Sequence, residues 1–345
     1  MPVQRRSADL VLLLITALWG TTFAVIQQGL AHAGTMSFLT ARFAVGLLAL
    51  AVLARFKVLA WRANLVGIGL GVLGFLGFAL QTGGLRYTTA PRSAFLTGLT
   101  VILVPTAAAL LAKRPNRSTL IALAVLAFGI GAASWGGARL STAAWAFWIA
   151  IALVGLACIR SMSAPVRIAV CLALSGLALL TRPTAAVDAA TLKGDLLTLG
   201  STIAFGLSLI LYERYAPRFA LFPLVFGHIG AMVVLSALGA AIVGWRFDGG
   251  GELWGSVVFC GVVATAVCLT GNAWAMQHTT ATRASLVYAL EPVFAAAFAY
   301  VWLGDSLTPT EAAGGGLIVA ATMVEPLRHV LGTRTRREIE PLPLP

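Results

Sequence analysis

The stretch Thr279–Asp305, TTATRASLVYALEPVFAAAFAYVWLGD, places a carboxylate in the middle of an apolar run. Its centre, Ala284–Leu303, is long enough to cross a bilayer as a helix, for which about 20 mostly apolar residues suffice. Glu291 lies well inside that run, beside Pro292. A carboxylate at such depth costs on the order of 2.5–3.5 kcal/mol on insertion scales. Proline lacks the backbone N–H and frees a carbonyl one turn earlier. Such a pair is tolerated against protein or a water-filled cavity and disfavoured against lipid. The stretch therefore predicts a membrane helix with a polar feature turned inward.

The rest of the chain has the same character. Of its 345 residues, 59% are hydrophobic and 10% charged, against about 25% charged in soluble domains. The formal charge of +12 is spread over short loops. Attraction to anionic lipid accounts for it without nucleic acid. Cys158, Cys171, Cys260 and Cys268 all fall in apolar runs without metal-ligand spacing, and read as small packing residues. No cofactor or metal is implied, and no hydrolase or metalloprotease motif occurs. The first apolar run follows Arg5-Arg6 but continues through Trp19 and Val25 with no small-x-small cleavage site, so it reads as a retained anchor.

Twelve apolar segments are expected, near 9–28, 36–54, 64–85, 91–112, 118–137, 143–160, 165–182, 195–213, 221–244, 253–276, 283–303 and 311–328. With the N-terminus inside, inside loops and the tail hold 17 Lys and Arg, and outside loops hold 6. That is a strong positive-inside bias, and it puts both termini in the cytoplasm. Trp245 and Trp254 flank one outside loop at interfacial level. Residues 331–345 are polar and proline-rich and read as a disordered tail.

A weak internal repeat is present. Ala8-Asp9-Leu10 matches Gly194-Asp195-Leu196 at an offset of 186, which also carries Trp19-Gly20 onto Phe205-Gly206 and Arg42 onto His228. Thr88-Thr89-Ala90-Pro91-Arg92 matches Thr279-Thr280-Ala281-Thr282-Arg283 at an offset of 191. An odd number of helices per unit would invert the second copy, a common way to build two alternating access states.

The same residues carry a resemblance. Leu18-Trp19-Gly20-Thr21-Thr22-Phe23, Ala41-Arg42-Phe43-Ala44, Leu85-Arg86-Tyr87-Thr88-Thr89-Ala90, Leu290-Glu291-Pro292-Val293-Phe294 and Leu303-Gly304-Asp305-Ser306-Leu307-Thr308 occur in that order. With its glycine-rich last helix, the chain resembles the drug/metabolite transporter superfamily, of the type with two EamA-like repeats. The resemblance implies an all-α polytopic membrane protein of ten helices in two inverted five-helix repeats around a central cavity. It implies secondary transport of a small metabolite, an amino acid or related compound, often outward, in the bacterial inner membrane. The chain departs from the pattern at the fifth helix, where Thr119–Gly137 and Val166–Thr181 compete for the role. The reading is a ten-helix core plus an inserted hairpin, about 12 transmembrane helices in all. The first repeat then spans 1–182 and the second 183–330.

Six residues are candidates for the substrate site. Glu291 has the energetic case above; the alternative is a packed carboxylate bonded to a neighbouring helix. Arg42 is a candidate to hold a carboxylate or phosphate, or else to snorkel or pair structurally. His228, its repeat partner, is a candidate proton relay or a structural hydrogen-bond partner. Trp19, Trp274 and Tyr288 are candidates for a cavity wall or for packing. Protons are a candidate coupling ion. Gln81 and Asn272 read as interhelical hydrogen-bonding groups. The run Gly67, Gly69, Gly71, Gly74 and Gly77 reads as a close-packing or sliding face. Two other functions stay open: a multidrug exporter, which an aromatic cavity with few fixed charges would favour, and a lipid-handling or scaffold protein.

Overall fold

The computed structural model describes residues 2–101 and 189–298, positions 103, 104, 107, 168, 171, 172, 175, 176 and 179, and residues 300–301, 309–310, 312–321 and 324. The expected segments near 118–137 and 143–160, nearly all of 165–182, and the tail lie outside the described residues. So does the expected inserted hairpin.

The described chain is almost entirely helical. The first half holds α1 (Pro2–Ala31), α2 (Thr35–Leu53), α3 (Trp61–Gly84) and α4 (Ala90–Thr97). The second holds α5 (Ala189–Tyr215), α6 (Leu221–Val243), α7 (Gly251–Met276), α8 (Ala281–Tyr288), α9 (Glu291–Phe298) and α10 (Ala312–Ala321). Among the described residues six helices are long and apolar enough to cross a membrane: α1, α2, α3, α5, α6 and α7. Leu48, Val52, Leu65, Val234 and Ile242 on them are exposed. An apolar outer surface on hydrogen-bonded helices is what lipid requires. The chain is a multi-pass membrane protein.

The core is built by helix backbones that approach closely. Gly67, Gly71 and Gly74 share one face of α3 by their spacing, and all three are buried. A Cβ at Gly67 would stand 2.1 Å from the Leu224 carbonyl oxygen, and one at Gly71 would stand 2.3 Å from the His228 carbonyl oxygen. Only glycine admits α6 at this distance. The face anticipated from the glycine run is therefore a packing face. On the other side of the bundle α2 meets α7 in the same way: a Cβ at Gly46 would lie 2.8 Å from the Gly261 oxygen, and one at Gly261 would lie 2.7 Å from the Arg42 oxygen.

Two interruptions position the site. Residues 98–99 break the helix after α4, and residues 289–290 break it between α8 and α9. In the second, Pro292 cannot donate to the Tyr288 carbonyl, and the chain turns through Leu290 N–H to Val287 O at 3.0 Å. Gly20 of α1 sits against this corner; a Cβ there would be 3.0 Å from the Glu291 carbonyl oxygen.

The bundle's ends are tied by side chains. Gln27, near the end of α1, donates to the Thr88 carbonyl at 3.1 Å, just before α4. Glu213, near the end of α5, accepts from the Ala281 N–H at 3.0 Å, at the start of α8. Asp9, near the start of α1, pairs with Arg283 of α8. Asp195, near the start of α5, pairs with Arg92 of α4. Thus α1 and α5 run in opposite senses. Trp245, Phe247 and Trp254 stack in series, with centroids 6.2 and 5.9 Å apart, beside the loop between α6 and α7.

Candidate functional site

Between these ends lies a cavity of about 90 Å³ in the middle of the bundle. One water needs roughly 10–15 Å³ on this measure, so the space holds a few waters or a small polar group. Trp19 and Thr22 line it from α1; Phe78 and Gln81 from α3; Phe205, Ser208 and Tyr212 from α5; and His228 from α6. Asn272 lines it from α7. Thr97, Thr100, Tyr288 and Glu291 line it at the two helix breaks.

Many of these residues correspond at the repeat offsets. At 186, Trp19 falls on Phe205 and Thr22 on Ser208. At 191, Phe78 falls on Leu269, Gln81 on Asn272, Thr97 on Tyr288 and Thr100 on Glu291. Their hydrogen bonds correspond too. Gln81 Nε2 donates to Thr97 Oγ1 at 3.0 Å, and the Tyr288 hydroxyl donates to Asn272 Oδ1 at 2.6 Å. The halves differ in charge: where the first places Thr100, the second places Glu291.

Glu291 begins α9 and is 8% exposed, towards the cavity. Among the described residues no side chain or N–H donates to its carboxylate. His228 stacks on Tyr212 at 5.6 Å, and its Nδ1 lies 2.7 Å from the Tyr212 hydroxyl. Its Nε2 is buried without a protein partner. When Tyr212 donates to Nδ1, Nε2 carries the proton; it packs against Gly74 of α3, where a Cβ would stand 2.4 Å from it. Trp19 packs edge-on against Tyr288 at 5.4 Å, and its indole N–H donates to the Ala264 carbonyl at 2.9 Å. That carbonyl lies in the π-helical turn Cys260–Val267 of α7.

The structure thus brings Trp19, His228, Tyr288 and Glu291 to one cavity; the other two candidates, Arg42 and Trp274, are not among the residues that line it. Arg42 is fully buried; Nε donates to Thr265 Oγ1 at 3.1 Å, and the guanidinium lies 4.7 Å from the Phe78 ring centroid. Its Nη1 has no hydrogen-bond partner. Trp274 packs on His278, with centroids 4.8 Å apart. Sequence reasoning missed Phe205, Ser208, Tyr212, Thr97 and Thr100 as lining residues. Carrying the two offsets along every candidate would have found Phe205, Thr97 and Thr100, whereas Ser208 and Tyr212 have no candidate partner at either offset.

The sequence profile of the EamA-like transporter family matches residues 6–135 and 192–324. The chain belongs to the EamA-like transporter family. It is a membrane transporter of the drug/metabolite superfamily, and the family points to a transporter rather than an enzyme. An uncharacterized transporter of Archaeoglobus fulgidus is 26% identical over 330 residues, covering 94% of this chain and 88% of that protein. A second uncharacterized transporter of the same organism is 28% identical over 219 residues, covering 61% of this chain and 77% of the other. A protein of known crystal structure shares the fold of this EamA-like chain. It has a TM-score of 0.62 at 17% identity, and the match covers 92% of this chain and 96% of that one.

Proposed function

We propose that this EamA-like transporter is a secondary exporter of a small amine-bearing metabolite, an amino acid or related compound, across the bacterial inner membrane. Both termini are cytoplasmic. The core is two inverted five-helix repeats, 1–182 and 183–330, and transport proceeds by alternating access. The observation that carries the reading is Glu291: a carboxylate at a central cavity, beside a broken helix, with no protein donor among the described residues. Leaving a charge so placed is costly, and a substrate ammonium or a proton compensates it. Thr22, Gln81 and Asn272 line the same space and offer polar groups to a substrate carboxylate. Trp19, Phe205 and Tyr288 supply apolar walls, and Arg42 backs the wall residue Phe78. The family match breaks off after residue 135 and resumes at 192, which supports a hairpin inserted within the 1–182 unit.

A proton and an ammonium compete for one carboxylate, so transport coupled through Glu291 depends on pH. A substrate is first found by thermal shift, since a ligand that binds only the folded state raises its stability. Transport is then measured in proteoliposomes. Glu291→Gln keeps the shape and fixes the group as neutral; the rate falls and the pH profile flattens. An unchanged rate and profile would remove Glu291 from the mechanism.

One observation favours a second reading. Five aromatic rings line the cavity, from Trp19, Phe78, Phe205, Tyr212 and Tyr288, with one carboxylate among them. This wall suits a broad-specificity exporter of lipophilic cations through cation–π contact. Several unrelated lipophilic cations shifting the melting temperature, with amino acids silent, would decide for it.

A further inference from the structure

Two forked ion pairs take no part in the cavity chemistry, and both join the first half of the chain to the second. Arg92 Nε donates to both Asp195 oxygens at 2.9 and 2.8 Å, and its Nη2 donates at 2.6 Å. Arg283 donates to Asp9 at 2.8 Å from Nε and 2.6 Å from Nη2. The aspartates correspond at the offset of 186 and the arginines at 191. Each half thus gives one acid and one base, in exchanged pairs.

The pairs stand at opposite ends of the bundle. Asp9 and Gln27 lie on one continuous helix, about 27 Å apart at 1.5 Å per residue. Asp9 holds the start of α8, whereas Gln27 bonds to the Thr88 carbonyl at the approach to α4. The cavity lies between. Each arginine is the third residue of an eight-residue helix, and each of these helices runs into one of the two breaks. Beyond the α4 break stands Thr100, and beyond the α8 break stands Glu291; both line the cavity.

We propose that Arg92–Asp195 and Arg283–Asp9 are the paired latches of this transporter. Each closes one end of the cavity, and access from that end requires its own pair to part while the other holds. The proposal rests on the alternating-access reading above. Parting a pair frees a short helix to swing about its break. Swinging α8 moves Glu291 directly, so opening one end also alters the carboxylate's surroundings. The latches are unequal. Asp195 is 10% exposed and also accepts from Thr88 Oγ1 at 3.0 Å, whereas Asp9 is 28% exposed. Beside Asp195, α3 and α5 touch backbone to backbone; a Cβ at Gly84 would stand 2.7 Å from the Gly194 oxygen. Solvent screens the Asp9 pair more strongly, so the Asp9 end is the easier one to open.

Hydrogen exchange of the full chain in nanodiscs tests this without a substrate. Asp195→Asn speeds exchange in residues 88–97 and 193–199 by roughly tenfold, the scale of a local opening that loses one charge-assisted pair. It leaves residues 6–12 and 280–288 unchanged or slower. Asp9→Asn gives the mirror result. Exchanging the charges, Arg92→Asp with Asp195→Arg, restores protection at that end. Where a neutralised variant does not fold, Arg92→Lys or Arg283→Lys keeps the charge and loses the fork, and gives the same local pattern at smaller size. Loosening of both ends by either variant, or of neither, or no rescue by the exchange, overturns the proposal. An unchanged rate and pH profile in Glu291→Gln would overturn the transport reading alone, because exchange reports the latches separately.

Discussion

Gly67→Ala adds one methyl where α3 meets α6, and the structure sets its cost. The new Cβ would stand 2.1 Å from the Leu224 carbonyl oxygen, 2.9 Å from the His228 nitrogen and 3.1 Å from the Gly227 Cα. All three are backbone atoms, so no side chain can turn aside. The two helices must separate by about 1 Å, and overpacking of this kind costs typically 1–3 kcal/mol. Gly69→Ala, two residues on, is its control: nothing lies within 4 Å of a Cβ there. The control gains the helix preference of alanine, up to about 1 kcal/mol. Both variants gain that preference, so it cancels, and they should differ by about 1–3 kcal/mol, the overpacking cost. Equilibrium unfolding in mixed micelles measures the difference. Equal stability, or a less stable Gly69→Ala, would refute the claim that glycine is present at 67 for backbone contact.

Further outcomes follow from single hydrogen bonds and from the charge pattern. Tyr212→Phe removes the partner of His228 Nδ1 and is expected to cost about 1–3 kcal/mol in equilibrium unfolding, the loss from leaving a buried group unsatisfied. Trp19→Phe leaves the Ala264 carbonyl without its indole donor, with a loss of about 1 kcal/mol or more and a weakened substrate-induced shift. Gln81→Leu removes the donor to Thr97 Oγ1, which keeps its own bond to the Ser93 carbonyl at 2.9 Å, and is expected to cost about 0.5–1.5 kcal/mol in unfolding; a variant as stable as the parent would show that the bond contributes nothing. A cytoplasmic-type reporter fused after Pro345 should be active, and an active periplasmic-type reporter there would mean an odd number of spans.

The membrane class needed no tertiary information. Apolar runs long enough to span are a property of the chain against lipid and water, and they act residue by residue. Glu291 was legible for the same reason: the cost of a carboxylate in hydrocarbon does not depend on its neighbours. Matching letters at two offsets were legible in fragments, and they include the residues of both ion pairs, Asp9 with Arg283 and Asp195 with Arg92. What the sequence left open is which polar groups face one another. Arg42 and His228 correspond in sequence, yet one reaches Thr265 behind the wall and the other lines the cavity. Trp19 and Trp274 are both apolar-span tryptophans, and only Trp19 reaches the space. A helix facing lipid on one side and protein on the other carries apolar residues all round, so its periodicity does not mark the inner face. That face is chosen where glycines let backbones touch, at Gly67, Gly71 and Gly46, and close contact depends on both helices at once. Tertiary structure therefore decided the cavity, because its walls are defined by pairs of residues far apart in the chain.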